Sequence, residues 1–399
     1  MKKANPNPKS VKKSAPQKPL AKKGKGALKK TARPAAPKKG DGALPTIPAK
    51  PARKKFAKAV AAGKFPAPAP SKKRTHGPAP KAVRDPAIAG KTLVLGSRGS
   101  LLAVTQSTMV KNLLEKAHPG LTVRLEIIKT SGDVDQGTAL DAFPALGVFV
   151  KEIQNALRDG RIDAAVHSLK DVPEDQPEGL LLAAFPQRED ARDVFVSKGF
   201  KSGVKFTDLP QNARVGTGSP RRILQFRALR PDLQFIPLRG NVDTRIAKME
   251  SGEVDGIVLA AAGLRRLGKE SVITHSFSFS DSIPAIGQAA LALECRADDA
   301  FAIRVLEALD DPETREAVEL ERQFMLAVGG GCKVPMAAHA YPYGDSYRFI
   351  AVMGDAKTGK FARLERVLDP EYAEEDVDEI AEEMLAACRA KGLPTPRGD

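Results

Sequence analysis

Thr92-Leu93-Val94-Leu95-Gly96-Ser97-Arg98-Gly99-Ser100-Leu101-Leu102-Ala103 is the stretch on which the reading of this chain turns. Thr92–Leu95 has the β-branched and apolar character of a short strand. Ser100 is a helix-capping residue, and the positions after it repeat at helical spacing to about Ala117, with Leu102, Val110, Leu113 and Leu114 on the apolar side. Arg98 therefore stands in a glycine-flanked turn between a strand and a helix N-terminus. The pattern continues outward. Leu121–Ile128 alternates as a strand with Val123, Leu125 and Ile127 on one side. Val148–Leu157 is helical with Gly160 as its stop, and Ile162–Val166 is a short buried strand ending at His167. Strand, helix, strand, helix, strand predicts an α/β domain with a mainly parallel sheet.

The same order then recurs. Strands are expected at Val194–Val196, Arg214–Gly216, Gln234–Pro237 and Gly256–Ala260, and helices at Arg221–Leu229, Val242–Glu250 and Ala261–Leu267. Ser278–Pro284 is turn-rich and would return the chain to the first domain. A separate C-terminal part follows. It comprises helix Glu313–Ala327, a glycine loop at 329–331, strands near Met336–Ala340 and Arg348–Met353, and helix Glu374–Lys391. The expected fold class is α/β, with domain 1 at 90–188 and 286–308, domain 2 at 189–285 and a smaller C-terminal α/β domain at 309–399.

Residues 1–90 are different. They hold 25 Lys+Arg against 2 Asp+Glu, 15 of the 31 prolines, and only Phe56 and Phe65 as aromatics. The rest of the chain holds 39 basic and 46 acidic residues, so the formal charge of +16 is a tail of +23 on a body of −7. Such a tail cannot bury enough apolar surface to offset its ordering entropy, and 1–89 is expected to be disordered. A polyanion such as nucleic acid is the class of partner it would attract, although most charge runs are simply solvated. No apolar run reaches membrane-spanning length, and no apolar stretch follows Met1-Lys2-Lys3 as a secretory signal would require. Cys295, Cys332 and Cys388 suit neither a disulfide framework nor a zinc site, and no metal is expected. The expected compartment is the cytoplasm.

Two groups of residues carry chemistry. Arg98, Arg221, Arg222, Arg239, Arg245 and Arg266 all stand at or near glycine-marked turns after expected strands, where open α/β sheets bind ligands and helix N-termini favour anions. Guanidinium groups there imply a polyanionic ligand. The second group is His167-Ser168-Leu169-Lys170-Asp171-Val172-Pro173. Asp171 is a candidate acid–base or cation-stabilising group, Lys170 an anion contact, and His167 reads as a structural histidine. Cys332, in Gly329-Gly330-Gly331-Cys332-Lys333-Val334-Pro335, is open to approach, and Lys333 favours its thiolate.

From about Lys91 to Gly392 these motifs resemble those of the porphobilinogen deaminase (hydroxymethylbilane synthase) family. The resemblance also rests on Phe149-Val150-Lys151-Glu152, Gly216-Thr217-Gly218-Ser219-Pro220-Arg221-Arg222 and Leu238-Arg239-Gly240-Asn241-Val242-Asp243-Thr244-Arg245. It implies two domains like those of periplasmic binding proteins, and a third bearing the cysteine. It further implies a dipyrromethane cofactor joined by a thioether to Cys332. Four porphobilinogen molecules would be added to this primer, each with loss of ammonia, and a linear tetrapyrrole released. Arg98, Gln106, Arg239 and Arg266 would hold substrate. Lys170, Ser219, Arg221, Arg222 and Arg245 would hold the cofactor, with Phe149 near its rings, and Asp171 would be catalytic. A monomer is implied. Three positions depart from the family pattern: Leu146 replaces a usual lysine, Ala289 a usual glycine, and Gly329 an often acidic residue. Two other readings compete with the active deaminase. One is a diverged anion-binding paralogue without turnover; the other is a nucleic-acid-binding protein acting through its basic tail.

Overall fold

A computed structural model describes residues 85–129, 150–200, 203–330 and 334–396. Most of the basic tail, Leu146, Phe149, Cys332 and Lys333 lie outside the described residues, so the expectations placed on them rest on sequence.

The first strands follow the opening motif. β1 (Thr92–Arg98) leads through Gly99 into α1 (Leu101–Ala117), where the Ser100 Oγ accepts from the Ala103 N–H as the N-cap. β2 (Thr122–Ile128), α2 (Lys151–Arg158), β3 (Ala164–Ser168) and β4 (Leu180–Ala184) follow. The second series is β5 (Asp193–Ser197), β6 (Arg214–Gly216), α3 (Pro220–Leu229), β7 (Gln234–Ile236), α4 (Val242–Glu250), β8 (Gly256–Ala260), α5 (Ala261–Arg266) and β9 (His275–Ser276). The chain then passes through β10 (Leu291–Arg296), α6 (Ala300–Leu306) and α7 (Pro312–Ala327). It ends in β11 (Met336–Tyr343), β12 (Ser346–Asp355), β13 (Lys360–Val367) and α8 (Ala373–Ala390).

These strands form three sheets, ordered β2-β1-β3-β10-β4, β7-β6-β8-β5-β9 and β11-β12-β13. The first two share one plan. Three strands run parallel, β2-β1-β3 or β7-β6-β8, and a fourth, β10 or β5, joins antiparallel. The outermost strand, β4 or β9, pairs antiparallel with that fourth strand, so four of the five strands share one direction, mainly parallel as the sequence suggested, with one antiparallel strand inserted. The reason lies in the route: β5 is the first strand after the chain leaves the first sheet, and β10 is the first after it returns. The third sheet is an antiparallel meander covered by α7 and α8, whose Phe324, Val377, Ile380 and Met384 meet Phe349, Ala351 and Met353 in one core.

Burial follows strand alternation. Leu93, Leu95 and Val123 face the α1 side of the first sheet, while Ile128 and Ala165 face α2. Ile127, on the same side of the strand as Val123, is 47% exposed. It is the last residue but one of the edge strand β2 and lies against Gly99, which offers it no side chain.

The two passages between the sheets are tied together and to the third part of the molecule. Gln288 Nε2 donates to the Ala191 carbonyl at 2.7 Å. Glu321, wholly buried on α7, accepts from Arg188 on one passage at 2.7 and 3.0 Å and from the Gly287 N–H on the other at 2.7 Å. It also accepts from His339 Nδ1 at 2.8 Å and the Ala340 N–H at 3.0 Å.

Candidate active site

The C-terminal edge of the first sheet carries Arg98 and the Lys170–Asp171 turn. Arg98 is the last residue of β1, and the pairing of Gly96 with Ala165 brings it near the end of β3. There Ser168 leads into a single 3₁₀ turn, Leu169–Asp171. The turn is held from several sides. The Leu169 N–H donates to the Ala290 carbonyl at 3.0 Å, and Arg322 of α7 donates to the Pro173 and Glu174 carbonyls at 2.8 and 3.0 Å. Gln106, buried on α1, accepts from the Ser168 hydroxyl at 3.4 Å. His167 is structural, as expected: its Nε2 meets the buried Glu294 at 2.9 Å, and Gln154 satisfies the other carboxylate oxygen.

Lys170 is exposed, yet protein surrounds it, as happens to a side chain in an open cleft. That surrounding mass depresses its ammonium pKa; Asp171 opposes the shift, and Arg222 and Arg221 reinforce it. Lys170 and Asp171 on one sheet and the arginine pair on the other thus share one electrostatic neighbourhood.

The matching edge of the second sheet carries the other cations. Ser219 caps α3, its hydroxyl accepting from the Arg222 N–H at 3.4 Å, with Pro220 at the first helical position. This places Arg221 and Arg222 in the first turn, both 6% exposed. Both reach back to Asp193, the first residue of β5: Arg221 at 2.8 and 3.2 Å, Arg222 at 2.7 and 3.1 Å. Ser282 and Gln288 complete the carboxylate's partners at 2.8 and 2.9 Å. Burial alone would raise the Asp193 pKa, but the two guanidiniums hold it far below the usual carboxylate range. Two cations share one anion, so the cluster keeps a positive charge.

Arg245 sits a turn into α4 and donates Nε–H to the Gly240 carbonyl at 2.8 Å. Gly240 has φ +108° and leaves no room for a side chain against Thr244, so the Leu238-Arg239-Gly240-Asn241 turn needs a glycine there. Burial lowers the Arg245 pKa, and the charge of Arg222 adds to the effect. Arg266, at the end of α5, donates to the Ala289 carbonyl at 2.6 Å, and burial lowers its pKa to about 10 against the opposing charge of Glu189. Arg239 follows β7, half-buried. Among the described residues no carboxylate lies within ion-pair distance of Lys170, Arg245 or Arg266, whereas Arg188, Arg192, Arg230 and Arg265 are all paired.

The structure therefore gathers Lys170, Asp171, Arg221, Arg222 and Arg245, and sets Arg98 and Gln106 on the same edge as Asp171. Arg266 reaches the segment that joins the two sheets. Phe149 and Cys332 are outside the described residues. The flank of the Cys332 loop is not: the backbone of Gly330, φ +88°, lies against the Glu174 carboxylate, three residues beyond Asp171. The sequence reading missed Asp193, Arg188, Gln288 and Glu321. An acidic residue opening the wholly buried run Val194–Val196 was the one available signal. Half-buried guanidiniums without carboxylate partners, Arg245 and Arg266, favour a ligand that brings its own, such as pyrrole rings bearing acetate and propionate arms.

Comparison with known proteins agrees with this chemistry. Residues 93–304 match the family model described as porphobilinogen deaminase, dipyromethane cofactor binding domain, and residues 315–386 match that of its C-terminal domain. A porphobilinogen deaminase of Roseiflexus sp. (strain RS-1) is 47% identical over 68% of this chain and 89% of that protein. That of Roseiflexus castenholzii is 45% identical over 74% of this chain and 99% of its own length. Among solved structures, the BvgS periplasmic VFT2 domain of Bordetella pertussis is 14% identical at a TM-score of 0.33, over 55% of this chain and 86% of that one.

Proposed function

The chain belongs to the porphobilinogen deaminase family, and from that premise we propose how its residues divide the work. Its reaction condenses four porphobilinogen molecules head to tail on a dipyrromethane primer, with release of ammonia, to give hydroxymethylbilane for tetrapyrrole biosynthesis. The dipyrromethane supplies the acceptor pyrrole carbon and stays behind when the product leaves.

We assign its attachment to Cys332, the one cysteine in a glycine loop. Cys295 and Cys388 are buried in cores, and burial pushes the Cys295 thiol up to about 12, away from the nucleophilic thiolate. Lys170, Ser219, Arg221, Arg222 and Arg245 hold the acetate and propionate arms of the cofactor, with Phe149 packed near its rings. Arg98, Gln106, Arg239 and Arg266 hold those of the incoming porphobilinogen. Asp171 lies beside these cations, where its carboxylate stabilises positive charge developing as ammonia departs and moves the proton lost from the attacked pyrrole. The observation that carries this reading is that Lys170, next to Asp171, and the half-buried Arg245 and Arg266, held by the Gly240 and Ala289 carbonyls, have no carboxylate within ion-pair distance among the described residues.

The same reading divides the described chain at the two passages between sheets. Domain 1 takes 90–188 and 286–308, domain 2 takes 189–285, and 309–399 forms the C-terminal domain. We infer a cytoplasmic monomer; no helix among the described residues is long and apolar enough to cross a membrane. The basic segment 1–89 is left for polyanion contacts. Intact mass and porphobilinogen turnover of Arg245→Leu test the assignment of the cations. A folded protein with a reduced share of cofactor-bearing molecules and lowered turnover is expected, and a full cofactor load with parental turnover would contradict it.

A further inference from the structure

Four consecutive residues on the return passage bond to α7, to Asp193, to Arg266 and to the start of the Lys170–Asp171 turn. The Gly287 N–H donates to Glu321, and Gln288 donates to Asp193, which holds Arg221 and Arg222. The Ala289 carbonyl accepts from Arg266 Nη2 at 2.6 Å. The Ala290 carbonyl accepts from the Leu169 N–H at 3.0 Å, at the start of the Lys170–Asp171 turn. Arg266 belongs to helix α5 after the second sheet's β8, and Leu169 opens the 3₁₀ turn after β3 of the first.

Adjacent carbonyls serve these two elements because the backbone between them turns out of the extended form. Ala289 has φ +72°, one of three non-glycine residues with positive φ among the described residues. An alanine there is strained, and such strain persists only when neighbours over-determine it. Here the neighbours are those hydrogen bonds and an apolar cluster in which buried Ala289 packs with Ala191 and Ala262.

We propose that Ala289 is a positioning residue: its left-handed backbone directs one carbonyl to Arg266 and the next to Leu169, fixing the register between a substrate-binding arginine and the Asp171 turn. This rests on the reading that Arg266 holds a substrate carboxylate. Because the segment lies between the two sheets, a change at Arg266 is transmitted to a turn it does not touch.

The test uses the full-length holoenzyme. In Arg266→Ala, KM for porphobilinogen should rise at least about tenfold, the loss of one charge-assisted hydrogen bond, and amide exchange at Leu169 should accelerate by about the same factor. An unchanged KM would defeat the reading of Arg266. A raised KM with unchanged Leu169 exchange would leave that reading standing and defeat the coupling through Ala289.

Two variants at position 289 address the backbone itself. Ala289→Val, β-branched and hostile to positive φ, should raise KM about tenfold while kcat at saturating substrate changes little. Ala289→Gly, which accepts the conformation, should stay within about threefold of the parent. A folded Ala289→Val with parental KM overturns the proposal. So does an Ala289→Gly as impaired as the valine, which would place the effect in the methyl group's packing. Should the valine variant not fold, the Leu169 exchange in Arg266→Ala decides alone.

Discussion

Asp171 and Asp193 stand within the same charged neighbourhood and are asked to do opposite things. Asp193 is saturated by Arg221, Arg222, Ser282 and Gln288 and has no capacity left for a ligand. Asp171 lies in a short turn held by backbone bonds, next to Lys170. Asp171→Ala should therefore keep the fold and lower turnover by at least ~10²-fold, the usual contribution of a positioned charge and proton carrier. Steady-state porphobilinogen consumption by that variant measures this, and a parental rate would remove Asp171 from the chemistry. Asp193→Ala should instead act on stability. It leaves two buried guanidiniums facing each other and should cost roughly 3–5 kcal/mol in thermal unfolding. The arginines were legible in the sequence because each stands by a glycine or a helix cap after a strand. Asp193 was not, because its partners lie far along the chain and only packing brings them to it.

Among elements, α7 does the most joining. Its Glu321 binds both passages between the sheets and the third sheet, and Arg322, next in sequence, clamps the carbonyls after Asp171. Burial would raise the Glu321 pKa, yet the charge of Arg188 and the hydrogen bond from His339 bring it from 4.5 to about 2. A carboxyl lowered in the folded state stabilises the fold fully above its unfolded pKa. That contribution, on the order of 3 kcal/mol, is lost as pH falls from about 4.5 towards 2. Urea midpoints between pH 6 and pH 3 should fall for the parent, and Glu321→Gln should lose part of that slope along with stability. An identical slope in both would show that Glu321 is not held this way.

At this scale the sequence was a partial guide. Helix α4 and strands β6 and β8 matched the expected bounds because their apolar spacing and flanking glycines are local signals. β10 went unassigned, since Leu291-Ala292-Leu293-Glu294-Cys295-Arg296 has no β-branched residue and carries two charges. It becomes a strand by pairing on both sides with β3 and β4, and Glu294 is tolerated there because His167 and Gln154 meet it. The mixed sheets follow from that one insertion and from its counterpart β5.

The whole molecule joins a body of net −7 to a leading segment of net +23. Every candidate site residue falls in the body, and the family match begins at residue 93. Deleting residues 1–88 should leave the maximal rate of porphobilinogen consumption unchanged. Any loss should be confined to apparent affinity at low salt, where the tail's charge would draw an acidic substrate beyond the ~8 Å Debye length of physiological ionic strength. A truncated protein that binds substrate but does not turn over at saturation would make the tail part of the machinery.

The central claim is that this chain builds its product on a two-pyrrole primer bonded to Cys332. The most direct measurement is the intact mass of the purified full-length protein, followed by peptide mapping, for the parent and for Cys332→Ser. The parent should carry the mass of a dipyrromethane on the peptide containing Cys332, and the serine variant, whose hydroxyl is a far weaker nucleophile, should carry none. An unmodified parent, or an adduct that persists in Cys332→Ser, would contradict the account.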